Sequence, residues 1–368
     1  IDPDGLLEYS VVFTDRSLNH MSQSFQQVMN DISAMLKQVY NAHAAIIVPG
    51  GGTYAMEAVA RQFATNKKCI VIRNGWFSFR WTQIFDAGSI PAESTVLMAR
   101  QIEEQKQAPF IPAPLEEVKA TIEAQKPELV IAPHVETSSG MMLPDDYIRA
   151  AADATHAAGG LFVLDCVASG TVWVDMEACH VDVLITAPQK GWSGSPCSGL
   201  VMLSALARER IASTSSTSFA CDLLKWLQIM EAYEKGGFAY HATMPTDALK
   251  AFRDVMKETE QYGFDKLKAA QLELGRRVRD LLAGKGIKSV AAKGYEAPGV
   301  VVAYTEDGDI QNGKKFTELG IQIAAGVPLQ CNEPADFQTF RLGLFGLDKL
   351  LNVDRTVATL EKALDKVI

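Results

Sequence analysis

The chain has 368 residues, of which 48% are apolar and 21% charged, and its formal net charge at pH 7 is −9. This length and balance describe an ordinary globular chain, either two domains or one large domain with an appendage. The acidic balance lacks the clustered Lys and Arg that neutralise phosphates, so neither nucleic acid nor an anionic membrane is an expected partner.

The first 20 residues carry little periodicity and predict an arm, followed by a helix over 21–40. From 44 to 203, short Val/Ile/Leu-rich runs alternate with segments of helical period. The runs at 44–48, 69–73, 129–133, 161–165, 181–186 and 200–203 are apolar on both faces, as strands buried between two helix layers are. Helices are predicted at 53–64, 76–87, 114–125 and 144–158. The result is a doubly wound, mostly parallel α/β sheet. After residue 204 come helices at 204–212, 221–235 and 246–284, the last broken near Tyr262-Gly263. The chain ends in a small α/β unit with strands at 299–304 and 338–342 and helices at 312–319 and 353–367. The expected division is an arm at 1–20, a large domain at 21–255 and a small domain at 256–368.

No stretch approaches the roughly 18 to 20 apolar residues of a membrane span, and the first residues lack the basic and apolar regions of a signal peptide. The six cysteines, at 69, 166, 179, 197, 221 and 331, form no Cys-x-x-Cys pair and no zinc-type spacing with histidine. Free thiols in a reducing compartment follow, so the expected location is cytoplasmic and no metal is expected. Because the chain begins with Ile1, a native start upstream of it is expected.

Chemistry gathers at the strand ends. Lys190 follows the run Val181-Asp182-Val183-Leu184-Ile185, and a lysine at the end of a buried strand is poorly hydrated, so its amine can deprotonate and act as a nucleophile. Asp165 closes the run Leu161-Phe162-Val163-Leu164. One amine and one carboxylate at the same sheet edge suit an imine-forming cofactor whose ring nitrogen needs an acidic partner, which describes pyridoxal 5'-phosphate. Pro49-Gly50-Gly51-Gly52-Thr53 follows the first strand and opens a helix, where free N–H groups and the positive dipole end can receive a phosphate. It is neither a P-loop nor a dinucleotide fingerprint. Asn74-Gly75-Trp76-Phe77-Ser78-Phe79-Arg80 brings aromatics that either stack on a flat heterocycle or fill the core. His134-Val135-Glu136-Thr137-Ser138-Ser139-Gly140 is rich in small polar side chains and is either part of the site or a helix-capping turn. Ligands of open parallel sheets bind at these strand ends.

These stretches, together with Asp165-Cys166-Val167, Gln189-Lys190, Tyr240-His241-Ala242-Thr243-Met244-Pro245 and Phe340-Arg341-Leu342-Gly343, resemble the class V aminotransferases of the fold-type I pyridoxal-phosphate superfamily. The resemblance runs from about residue 50 to 343 and is strongest to the alanine–glyoxylate and serine–pyruvate branch. It implies a large, mostly parallel seven-stranded sheet domain with a small C-terminal α/β domain. It also implies that Lys190 bonds pyridoxal 5'-phosphate, that Asp165 pairs with its ring nitrogen, and that Val167 and Phe77 cover the two ring faces. Gly51, Gly52, Thr53, Ser138 and Gln189 would complete the cofactor site. Tyr240 and Thr243 would reach the phosphate in a neighbouring subunit, which implies a homodimer. Arg341 would hold the substrate carboxylate, a planar match that lysine does not reproduce. The implied activity is transamination between a small amino acid, alanine or serine, and a small 2-oxo acid, glyoxylate or pyruvate. Pro188 before Gln189, Ser78 and Ala168 depart from the residues usual in the family. The alternative is a cysteine desulfurase or selenocysteine lyase, with Cys331 as the nucleophile.

Overall fold

The computed structural model describes residues 3–368; Ile1 and Asp2 of the expected arm lie outside the described residues. The rest of the arm carries no helix or strand, and its Leu6, Leu7, Tyr9 and Val11 are 65–102% exposed. The first helix, Gln23–Tyr40, starts where the Ser22 hydroxyl accepts the Phe25 N–H at 3.1 Å, and it ends at Asn41, whose φ of 50° lies in the left-handed region. Phe25, Val28, Met29, Ile32 and Leu36 recur at helical spacing and are buried as one face.

Seven strands form the central sheet: β1 (Ala44–Pro49), β2 (Lys68–Arg73), β3 (Glu93–Met98), β4 (Leu129–Pro133), β5 (Leu161–Asp165), β6 (Val183–Thr186) and β7 (Ser198–Leu203). Their order is β1-β7-β6-β5-β4-β2-β3. Only β7 runs against its neighbours, pairing antiparallel with β1 and β6, while β6-β5, β5-β4, β4-β2 and β2-β3 are parallel. β4, β6 and β7 are buried at every residue, which explains their uninterrupted apolar runs. The edge strand β3 is absent from the expected set. Its Glu93 and Ser94 are exposed and Thr95 and Val96 only half-buried, so it lacks the apolar signature of a central strand.

The small sheet consists of β8 (Val300–Tyr304), β9 (Ala324–Ala325) and β10 (Thr339–Gly343), in the order β8-β10-β9 and antiparallel throughout. The helix expected at 312–319 is instead two short ones, Gly308–Gln311 and Lys314–Thr317, separated at Gly313 with φ 82°. Helix Thr246–Tyr262 buries Phe252 and Met256 in the core of the large sheet, whereas Phe264–Gly284 buries Leu274 and Val278 in the core beneath the small one. Gly263, at φ 95°, turns the chain between them. We propose this glycine as the domain boundary in place of 255/256, because a cut there would divide a continuous helix.

Candidate active site

The parallel strands deliver their carboxyl ends to one edge of the sheet, and a cavity of about 160 Å³ opens there, lined by Gly52, Thr53, Phe77, Asp165, Val167 and Lys190 among others. Asp165 is the last residue of β5 and lies in register with Ile185 of β6 and Pro133 of β4. Burial pushes its carboxyl up to about 6; the Val167 N–H, donating at 3.1 Å, opposes the shift, and the charge of Glu136 adds to it. Lys190 lies four positions beyond β6. Burial pulls its amine down from the ordinary lysine range, the Arg341 and Arg80 charges pull in the same direction, and Asp165 partly offsets them. Its Nζ is 5.3 Å from the centre of the Phe345 ring.

The phosphate-type cradle is built by the start of helix Gly52–Val59, whose first N–H groups have no acceptor within the helix. A Cβ on Gly52 would lie 3.0 Å from a Val167 methyl, closer than an ordinary contact, so glycine lets the two segments approach. Thr53 contributes its hydroxyl, which accepts from Arg80 Nη1 at 3.1 Å. Gln189 lines the cavity and its Oε1 is buried without a partner in the protein. Phe77, in the first turn of helix Trp76–Gly88, is approached by two cations, with the Arg80 guanidinium carbon 5.2 Å and that of Arg341 5.7 Å from its ring centre. Arg341 comes from β10 of the small domain, half-buried, its Nε donating to the Ala325 carbonyl at 2.7 Å. Arg341 thus stands beside the cavity, next to Phe77, and is not part of its lining.

Three sequence expectations are placed elsewhere. Ser138 does not line the cavity, since its hydroxyl donates to Glu136 Oε1 at 2.8 Å and accepts the Trp76 N–H at 2.8 Å; its neighbour Thr137 lines the cavity instead. Tyr240 and Thr243 are exposed, hydrogen-bonded to each other at 3.1 Å and outside the cavity of their own chain. Arg80 and Glu136 had been assigned no role. Arg80 follows Phe77 by three positions, which puts both on one helix face, a spacing visible in the sequence. Glu136 gave no such signal, because its partners are set by tertiary folding.

A family model described as aminotransferase class-V matches residues 6–338. The chain is a class-V aminotransferase. As such it takes an amino acid and a 2-oxo acid as substrates and uses pyridoxal 5'-phosphate. Among curated relatives, a 2-aminoethylphosphonate–pyruvate transaminase from Syntrophobacter fumaroxidans is 26% identical over 88% of this chain and 84% of its own. An alanine–glyoxylate aminotransferase 1 from Saccharomyces cerevisiae is 27% identical over 79% and 77%. The solved alanine–glyoxylate aminotransferase from Nostoc sp. shares the fold with a TM-score of 0.79, at 22% identity over 95% of this chain and 89% of that one. A ureidoglycine–glyoxylate aminotransferase from Bacillus subtilis does so with a TM-score of 0.77 at 20% identity, over 96% and 88%. The fold is that of the fold-type I enzymes.

The cavity of this aminotransferase fits the cofactor. Asp165 is a carboxyl held high by burial and facing an open space, the setting in which a cationic ring nitrogen would return it to the ionised state. The helix start at Gly52 and the Arg80 guanidinium beside Thr53 supply donors for an anion, and the Gln189 amide lines the same space. Among the described residues no cluster of His, Cys, Asp and Glu could hold a metal, and no helix is long and apolar enough to cross a membrane.

Proposed function

We propose that this class-V aminotransferase transfers an amino group between a small amino acid, alanine or serine, and a small 2-oxo acid, glyoxylate or pyruvate. The observation that carries this reading is the division of labour between two arginines. Arg80 is engaged with Thr53 at the cradle, which leaves Arg341 as the cavity's clamp for one substrate carboxylate. Among the described residues no further arginine lines the cavity for a second acidic group on the substrate. The name of the yeast relative supports alanine and glyoxylate among these.

In the proposed mechanism, bound pyridoxal phosphate supplies the electron sink that accepts the charge left on the substrate α-carbon. The protein does the rest. Gly51, Gly52, Thr53, Arg80 and Gln189 would hold the phosphate, and Phe77 and Val167 would cover the ring faces. Asp165 would keep a proton on the ring nitrogen. Lys190 would bond the cofactor, and its Nζ, kept poor in protons by burial and by Arg341 and Arg80, would be the group that accepts the substrate's α-proton and passes it on. Arg341 fixes the carboxylate so that the α-hydrogen faces Lys190.

The desulfurase alternative requires a mobile nucleophilic thiol. Cys331 is 4% exposed, its thiol is pushed up to about 12 by burial, and its Sγ donates to the Arg73 carbonyl at 3.5 Å, outside the cavity. This setting favours transamination. We also propose a homodimer in which Tyr240 and Thr243 complete the partner's cradle; their exposure, beside exposed Phe219 and Phe238, supports that role. Six free cysteines, all buried, support a cytoplasmic location. A stopped-flow screen of amino acids against the cofactor-loaded enzyme tests the substrate assignment. Alanine or serine should bleach the visible band fastest, and a preference for glutamate, aspartate or 2-aminoethylphosphonate would refute it.

A further inference from the structure

The loop after β4 buries a carboxylate that the proposed chemistry leaves unused. Glu136 is fully buried, and its two oxygens accept five hydrogen bonds. Oε1 takes the Phe77 N–H at 3.1 Å and both the N–H and the hydroxyl of Ser138, at 3.1 and 2.8 Å. Oε2 takes the N–H and the hydroxyl of Ser78, at 2.9 and 2.7 Å. The Ser138 hydroxyl in turn accepts the Trp76 N–H at 2.8 Å. The N–H groups of Trp76, Phe77 and Ser78, all in the first turn of helix Trp76–Gly88, are thus tied to one side chain and its bridging serine.

This is more than an ordinary helix cap. Capping residues normally lie beside the helix they cap in sequence, whereas Glu136 is 59 positions from Phe77 and belongs to a different strand end. The contact is so close that the helix must enter through glycine. A Cβ on Gly75 would fall 2.0 Å from Ser138 Oγ and 2.7 Å from Glu136 Cγ. Phe77 is therefore fixed to the loop after β4, and the same loop places Thr137 in the cavity wall. The carboxylate also faces the site's charges, because Asp165, Arg341 and Cys331 all respond to it. Five donors and the positive end of a helix compensate the burial of this side chain.

We propose that Glu136 is the positioning residue of the cofactor site: it locks the first turn of helix Trp76–Gly88 so that the Phe77 ring stands at a fixed angle and depth over the plane in which the cofactor ring would lie. This rests on the assignment of the cavity as a pyridoxal-phosphate site. Glu136 acts through Phe77 and touches no reacting atom. Its function is geometric.

The test is equilibrium binding of 4'-deoxypyridoxine 5'-phosphate to the cofactor-stripped enzyme. This probe has the ring and phosphate but no carbonyl to bond Lys190, so its affinity reports placement of the ring alone. Glu136→Gln and Phe77→Ala should each weaken binding about tenfold, and the double variant should be no weaker than Phe77→Ala, since one residue works through the other. Ser138→Ala keeps the charge but removes the bridge to Trp76, and it should show the same non-additivity with a smaller loss. It also stands in if Glu136→Gln does not fold. Wild-type affinity in the folded variants, or losses that multiply with that of Phe77→Ala, would overturn the proposal. A wild-type enzyme that fails to bind the probe would overturn the site assignment itself.

Discussion

Asp165 and Lys190, delivered by neighbouring parallel strands, are displaced in opposite senses by the same burial: the carboxyl is pushed up to about 6 and the amine is pulled down. The displacement of the acid makes it a liability in the protein without cofactor. A carboxyl whose folded value exceeds its unfolded value of 3.8 contributes no penalty in acid, where both states are protonated; the cost grows as the pH rises above 3.8 and is complete above the folded value. Cofactor-stripped Asp165→Asn should therefore melt higher than wild type near pH 8, by the equivalent of about 3 kcal/mol, with the difference closing below about pH 4. Thermal melts across that range check the sign. With cofactor bound, the same variant should lose on the order of 10²-fold in kcat, because the ring nitrogen loses its anionic partner.

Arg341, on β10, is proposed to hold the substrate carboxylate. Replacing it with alanine should reduce kcat/KM for alanine by about 10- to 100-fold, the worth of a partly buried charge-assisted pair, while the visible spectrum of the loaded enzyme is retained. Arg341→Lys should recover only part of the loss, since an ammonium cannot grip both carboxylate oxygens. Steady-state kinetics on the two variants measure both effects.

Outside the site, His156 Nε2 meets the buried Asp182 carboxylate at 2.7 Å, and this hydrogen bond raises the imidazole's proton affinity against the effect of its own burial. A folded value above the unfolded one means that the stabilisation is complete below about pH 6.5 and is lost as the pH rises through the folded value. The melting-temperature gap between wild type and His156→Asn should accordingly be larger near pH 5.5 than near pH 9. A gap that widens with pH would reverse the assignment of the charged pair.

The proposed composite site makes a prediction about mixed dimers. Lys190→Ala has no working lysine, and Tyr240→Phe with Thr243→Val weakens only the partner's cradle. A hybrid of the two subunits should regain about half of wild-type activity, because one of its two sites takes Lys190 from one chain and the intact Tyr240 and Thr243 from the other. If those residues served their own chain, the purified hybrid would show no such recovery.

Much of this arrangement was legible in the chain. Buried strands announce themselves by continuous apolar runs, so β1, β2, β4, β5, β6 and β7 were visible, and with them the strand-end positions of Asp165, Lys190 and the Gly51–Gly52 turn. β3 was not, because an edge strand with exposed Glu93 and Ser94 carries no such run. Ser138 was expected at the cofactor and Glu136 was given no role, for a different reason. Their sequence, a cluster of small polar residues after a strand, is the same whether a side chain faces the ligand or the helix behind it. Only the approach of Trp76–Gly88 decides that Thr137 lines the cavity while its two neighbours hold the helix. Arg80 occupies an intermediate place, since its helical spacing from Phe77 was readable but its contact with Thr53 joins two segments 27 positions apart.

The central claim is that Lys190 carries the cofactor and surrenders it to a small amino acid. Borohydride reduction of the loaded enzyme, followed by peptide mass analysis, tests this directly. The account predicts a pyridoxyl mass on the peptide containing Lys190, and its loss when excess alanine is added before reduction. A label on another lysine, or one that alanine does not displace, would contradict it.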